Sequence, residues 1–200
     1  MLYTVNIYVK FALIIGGILG GIALWAAYGF WYGFLFLLLG IAMLASYLLL
    51  GTIQSAATMM QTHGIDEAEE RLGLTFFPKL LYTPNRAYRH FLRGTFAMQR
   101  KDYEAAEAEL HLAQGVGLPS DNEKAMALLQ LANIRAVKGN FKGAEVFLRQ
   151  AKELKVTEPM LKEQLKEFES AVKQQSSANT TMMRQGFRGF QGGNRRPKMR

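Results

Sequence analysis

Residues 11–65 contain no Asp, Glu, Lys or Arg. A helix that is apolar all round has no solvent face, so a charge-free run of this length belongs in a bilayer or a very large core. A bilayer's hydrocarbon needs roughly 20 apolar residues per spanning helix, and 11–27 and 30–51 supply two such segments. The hinge falls at 26–32, where Trp25, Tyr28, Phe30, Trp31 and Tyr32 gather; such rings settle at headgroup level, apolar body inward and polar edge toward water. Residues 1–63 are therefore predicted to form a transmembrane hairpin, with the polar stretch 52–63 prolonging the second helix. A signal-peptide core at 11–23, with small residues near Ala26 and Ala27, is the competing reading. Lys10 and the start amine are its only cationic leader, and a second span follows at once.

Of the 24 basic residues only Lys10 precedes the second span, and the hinge is uncharged. The positive-inside rule then places both termini in the cytoplasm of a cell (inner) membrane. Gly16, Gly17, Gly20 and Gly21 form two overlapping G-x-x-x-G pairs in the first arm. Such a face lets a second helix approach closely. It serves either packing against the chain's own second arm, where Gly40, Ala42, Ala45 and Ser46 are small, or a homo-oligomer or partner contact.

Composition shifts at Gly64. Residues 64–83 read as an interfacial linker, whose Phe76, Phe77, Leu80 and Leu81 around Pro78 and Lys79 lie at the headgroup boundary or cover the next domain's first helix. Residues 84–175 read as five helices. Thr83 before Pro84 caps the first, Asp102 and Asn140 the second and fourth, and Ser120 with Glu123 makes a capping box for the third. Gly115 and Gly117 end the second. In the fifth, Leu161, Leu165, Phe168 and Val172 form one apolar stripe opposite Lys162, Glu163, Lys166 and Glu167.

The helix pairs repeat. Lys101-Asp102-Tyr103-Glu104-Ala105-Ala106 with Leu110 and Ala113 is matched by Gly139-Asn140-Phe141-Lys142-Gly143-Ala144 with Leu148 and Ala151, each preceded by a small residue, Gly94 or Ala132. This order resembles the tetratricopeptide repeat, at a longer spacing than that family's usual one. His90 and Arg93 depart from it, standing where the family pattern wants bulky or apolar residues. The resemblance implies an all-α solenoid capped by the fifth helix. It also implies a partner groove lined by Tyr88, Phe91, Thr95, Met98, Leu129, Asn133 and Ala136, taking an apolar or mixed segment of a partner protein. The lysine and asparagine pattern that clamps a terminal carboxylate is missing. Burial of Phe91 and Leu129 as core is the alternative.

Residues 176–200 are poor in aliphatics, and Arg184, Arg188, Arg195, Arg196, Lys198 and Arg200 give them +6 of the chain's net +8. They are expected to be disordered, and to contact anionic lipid headgroups or, in a weak likeness to Gly- and Arg-rich tails, RNA. The segment 64–175 is nearly neutral by comparison. Nothing favours catalysis: the chain has no Cys, and His63, His90 and His111 share no metal-ligand spacing. No cofactor is implied. The expectation is an all-α adaptor that holds a protein partner at the cytoplasmic face of a bacterial-type membrane, the bacterial assignment being a likeness of layout. Its rival is a membrane-tethered RNA or ribosome contact protein.

Overall fold

The computed structural model describes residues 7–62 and 64–191, which are helical with no strand among them. The chain divides into two compact units, Met1–Gly117 and Leu118–Arg200. The first contains α1 (Ile7–Tyr28), α2 (Phe30–Leu50), α3 (Ile53–Thr62), α4 (Ile65–Gly73), α5 (Thr83–Gln99) and α6 (Tyr103–Val116). The second contains α7 (Asp121–Val137), α8 (Phe141–Glu153) and α9 (Pro159–Gln191).

Helices α1 and α2 form an antiparallel hairpin turning at Gly29, whose φ of 97° favours glycine. Both are long and apolar enough to cross a membrane, and only 11% of each apolar stretch is buried inside the protein. Glycine sets their separation. A Cβ on Gly40 would come within 2.9 Å of Ile18, one on Gly21 within 2.7 Å of Leu37, and one on Gly33 would overlap the carbonyl of Gly21. The G-x-x-x-G pairs thus divide their roles: Gly17 and Gly21 close the hairpin, while Gly16 and Gly20 have nothing within 4 Å.

The expected extension of the second helix through 52–63 does not occur. At Gly51 the backbone turns to φ 65°, ψ −154°, its N–H closing α2 on Tyr47 O, and α3 starts afresh. The break is held by a buried hydroxyl pair. Thr52 Oγ1 donates to Arg71 O (2.7 Å) and lies 2.8 Å from Thr75 Oγ1, which in turn accepts from Thr52 N (3.4 Å). Thr75 must then donate to Thr52, so every polar atom of the pair is used.

The 64–83 stretch forms α4 and a short 3₁₀ turn at Pro78–Leu80. Ala68, Leu72 and Leu81 join Ile53, Ala56, Leu92 and Phe96 in one buried cluster. These residues are part of a core because α4 lies against α3 and α5, where their burial removes apolar surface from water. Helix α5 begins with Thr83 in its first turn, so Thr83 is not the cap. Tyr82 precedes the helix, and its N–H is committed to Leu49 O at 3.0 Å.

The two repeated hairpins, α5–α6 and α7–α8, use the same turn. Asp102 N donates to Ala97 O and Asn140 N to Arg135 O, while Lys101 N reaches Met98 O and Gly139 N reaches Ala136 O. This is a Schellman closure, and its left-handed position is Lys101 (φ 62°) in one hairpin and Gly139 (φ 76°) in the other. Asp102 and Asn140 then cap the following helices through Ala105 N and Gly143 N. Ala106, Leu110 and Ala113, like Ala144, Leu148 and Ala151, are buried at equivalent places. Gly94 is needed for the crossing, since a Cβ there would meet Leu110 at 2.8 Å.

In the second unit, Leu161, Leu165 and Val172 of α9 complete the core of α7 and α8, with Phe168 packed at its edge. The capping box of Ser120 and Glu123 forms. Helix α9 runs on to Gln191, whereas 176–200 was expected to be disordered. No proline and no glycine interrupts 176–185, and adding residues to an existing helix needs no new nucleation. Residues 192–200 lie outside those described.

Candidate functional site

Helices α7 and α9 leave a groove of about 470 Å³ between them, within the second unit. Leu129, Phe168 and Ala171 give it apolar walls, and Gln130, Asn133, Gln164 and Glu167 supply polar groups. On α9 these residues follow i, i+3, i+4, i+7 from Gln164, one continuous face beside the core stripe. The helices are fixed at one end by Asn122 on α7. Its Nδ2 donates to Thr157 Oγ1 and its Oδ1 accepts from Thr157 N, both at 2.8 Å. Asp121 Oδ2 accepts from Lys155 N (3.3 Å), so the link into α9 is pinned at neighbouring points.

A second clamp holds α9 to α8. The Glu169 carboxylate lies between Lys152 and Lys173, the latter at 2.8 Å. Hydrogen bonds from Lys152 and then Lys173 hold its pKa below the usual carboxylate value, and the carboxylate in turn raises that of Lys173. The wall that carries Phe168 is thus positioned by ion pairs on one side and by the buried stripe on the other.

Of the expected groove residues, Leu129 and Asn133 line this cavity, and Ala136 packs against the core of the same unit. Tyr88, Phe91, Thr95 and Met98 belong to α5, in the first unit. Phe91 is 4% exposed, and Tyr88 packs on the first unit's core with its ring 5.6 Å from that of Phe91. Thr95 Oγ1 donates to Phe91 O (3.0 Å). Met98 is partly buried. Helix α5 has α3, α4 and α6 as neighbours, and its Phe91 and Phe96 are buried.

His90 and Arg93, which break the repeat pattern, have a shared partner. His90 Nδ1 is 2.6 Å from Glu109 Oε2, and Arg93 Nη1 is 3.1 Å from Glu109 Oε1. One carboxylate on α6 thus meets two side chains of α5. Burial, then the nearby Arg93, lower the pKa of Arg89, with Glu109 opposing them; the guanidinium remains charged at any ordinary pH.

Arg184 and Arg188 fall on the last turns of α9, and Arg195, Arg196, Lys198 and Arg200 lie outside the described residues. Among the described residues no group of His, Asp or Glu side chains is placed to hold a metal ion. The sequence did not point to Gln130, Gln164, Glu167, Ala171 or Asn122. The one available signal was Phe168, a ring at the margin of the α9 stripe. Comparison of the chain with protein-family models, curated proteins and solved structures finds no match.

Proposed function

We propose that this chain is a membrane-anchored adaptor, held by α1 and α2 with both termini cytoplasmic, whose α7–α9 groove takes an apolar segment of a partner protein. The groove carries the reading. Its volume is within the range of sites that bury a ligand's side chains, and apolar walls with a few convergent polar groups are the usual composition of such a site. An apolar side chain between Leu129 and Phe168 would supply affinity, and amides such as Asn133 and Gln164 can pair with a partner's backbone. The tetratricopeptide likeness supports the same reading through the matching turns, caps and buried alanines of the two hairpins.

The test is site-specific photocrosslinking of the full chain in intact membranes. A photoreactive residue replacing Leu129 should capture a discrete protein, and one replacing Val146, exposed on α8, should not. Phe168→Ala should cut the Leu129 adduct by tenfold or more, the scale of losing one well-buried aromatic contact. Capture should persist when 181–200 is deleted and should change little with salt. Equal capture from both positions refutes the groove. Loss of capture on tail deletion, with steep salt dependence, replaces the adaptor with the tethered RNA contact reading, because phosphate binding releases counterions.

A further inference from the structure

The turn between α4 and α5 presents its largest apolar side chains outward. Phe76, Phe77 and Leu80 are 62%, 56% and 55% exposed, although Leu81 beside them is buried in the core. Surface apolar residues are common singly, but a cluster on a short, tightly held turn marks a contact surface. The turn is held firmly. Tyr47 Oη donates to Leu74 O (2.5 Å), Tyr82 N donates to Leu49 O (3.0 Å), and Asn85 Nδ2 reaches Leu50 O (3.3 Å).

Those anchors also fix its level along the hairpin. Phe76 lies 6.4 Å, ring to ring, from Phe11, and Phe11 lies 5.1 Å from Tyr47. Phe11 is in the first turn of one apolar stretch, Val9–Tyr28, and Tyr47 in the last turn of the other, Phe30–Leu50. The rings at 76 and 77 are therefore level with the hairpin's ends, where a bilayer's hydrocarbon gives way to headgroups.

Basic residues lie close to these positions in the chain. Lys10 adjoins Phe11, Lys79 is exposed on the turn itself, and Arg86 lies in the first turn of α5. Of the four acidic residues of α4, Asp66 and Glu69 pair with Arg100, just past the far end of α5, while Glu67 and Glu70 are exposed.

We propose that residues 75–82 form a third membrane contact, inserting Phe76, Phe77 and Leu80 into the headgroup boundary of the leaflet that receives the α1 start and α2 end. Lys79 gives the contact a preference for anionic phospholipid. The proposal rests on the membrane reading of α1 and α2, and its occupant follows from continuity with that surface: a lipid-facing hairpin end leaves lipid beside Phe76. Basic residues near an anionic leaflet are attracted within a Debye length of it.

The experiment uses the full chain in phosphatidylcholine vesicles with or without phosphatidylglycerol, containing lipids brominated near the headgroup or deep in the chains. Phe77→Trp is introduced with Trp25→Phe and Trp31→Phe, all at exposed positions, and the parent chain reports on the hinge. The new tryptophan should be quenched at least twofold more by shallow than by deep bromines. Quenching should rise with phosphatidylglycerol, and Lys79→Gln should remove half or more of that rise. Parent tryptophans quenched with an unquenched Trp at 77 would overturn this proposal and leave the hairpin standing. Absence of quenching from both would overturn the two together. Lipid quenching with no response to phosphatidylglycerol, or a response unchanged by Lys79→Gln, would remove the role given to Lys79.

Discussion

Replacing Gly51 by Ala adds one methyl group at the joint between the second apolar helix and everything after it. Two costs coincide there. The backbone angles, φ 65° and ψ −154°, lie in a region essentially reserved for glycine, where another residue costs about 1–3 kcal/mol. The new Cβ would also stand 2.8 Å from Leu81 Cδ2 and 3.3 Å from Thr75 Oγ1, and overpacking of this kind costs about 1–3 kcal/mol. Their sum is roughly 2–6 kcal/mol. Gly73 is the internal control: it ends α4 and has nothing within 4 Å of an added Cβ, so alanine there should stabilise by about 0.5–1 kcal/mol. Both residues belong to the first unit. In mild detergent, thermal unfolding followed by circular dichroism should place Gly51→Ala about 8 °C or more below wild type and Gly73→Ala a few degrees above it, at roughly 4 °C per kcal/mol. Equal transitions for the two variants would refute the reasoning, since the same substitution would then be insensitive to backbone angle and to Leu81.

Lys101→Gly should raise stability by about 1 kcal/mol, because a lysine held at φ 62° bears the left-handed penalty that its counterpart Gly139 avoids; a lower urea midpoint would contradict the shared turn. Glu169→Gln should destabilise the fold at neutral pH by up to ~1 kcal/mol, seen as a lower urea midpoint, the exposed lysines limiting the gain. Because the folded pKa of Glu169 lies below its ordinary 4.5, its contribution is complete above that value. It is lost as pH falls through the folded value, so the gap between wild type and Glu169→Gln should close in acid. A gap that is constant from neutral to strongly acid solution would show that the clamp contributes nothing through charge.

The features legible in the sequence were those fixed by local chemistry. The charge-free run, the caps at Asp102, Asn140 and Ser120, the buried alanines and the Leu161–Leu165–Val172 stripe each depend on residues close together in the chain. Features set by distant partners were not legible. Gly51 reads as an ordinary glycine in a helical run, and only the Thr52–Thr75 pair, 23 residues apart, makes it a corner. Lysine has no preference for positive φ, so Lys101 gave no sign of the turn it shares with Gly139. Ala68, Leu72 and Leu81 are too irregularly spaced to announce a core. On α9, Glu167 reads as part of a wet face, which it is in part; that α7 faces it and Gln164 across a groove depends on Asn122 and Thr157 meeting from 35 residues apart.

The corner at Gly51 and its hydrogen bonds leave no slack between α2 and the helices that follow. In a bilayer this makes the first unit a pointer. At 1.5 Å per residue, α1 with 22 residues and α2 with 21 are about 32 Å long, close to a typical hydrocarbon thickness, and a thinner membrane is met by tilting. Because Leu49, Leu50 and Tyr47 are bonded to Tyr82, Asn85 and Leu74, any tilt of the hairpin turns α5 through the same angle. Over the 17 residues of α5, roughly 25 Å, a tilt of about 10° swings the far end sideways by about 4 Å. For a hairpin that spans a bilayer, the bilayer's thickness would thereby set the direction in which Arg100 and the turn to α6 face.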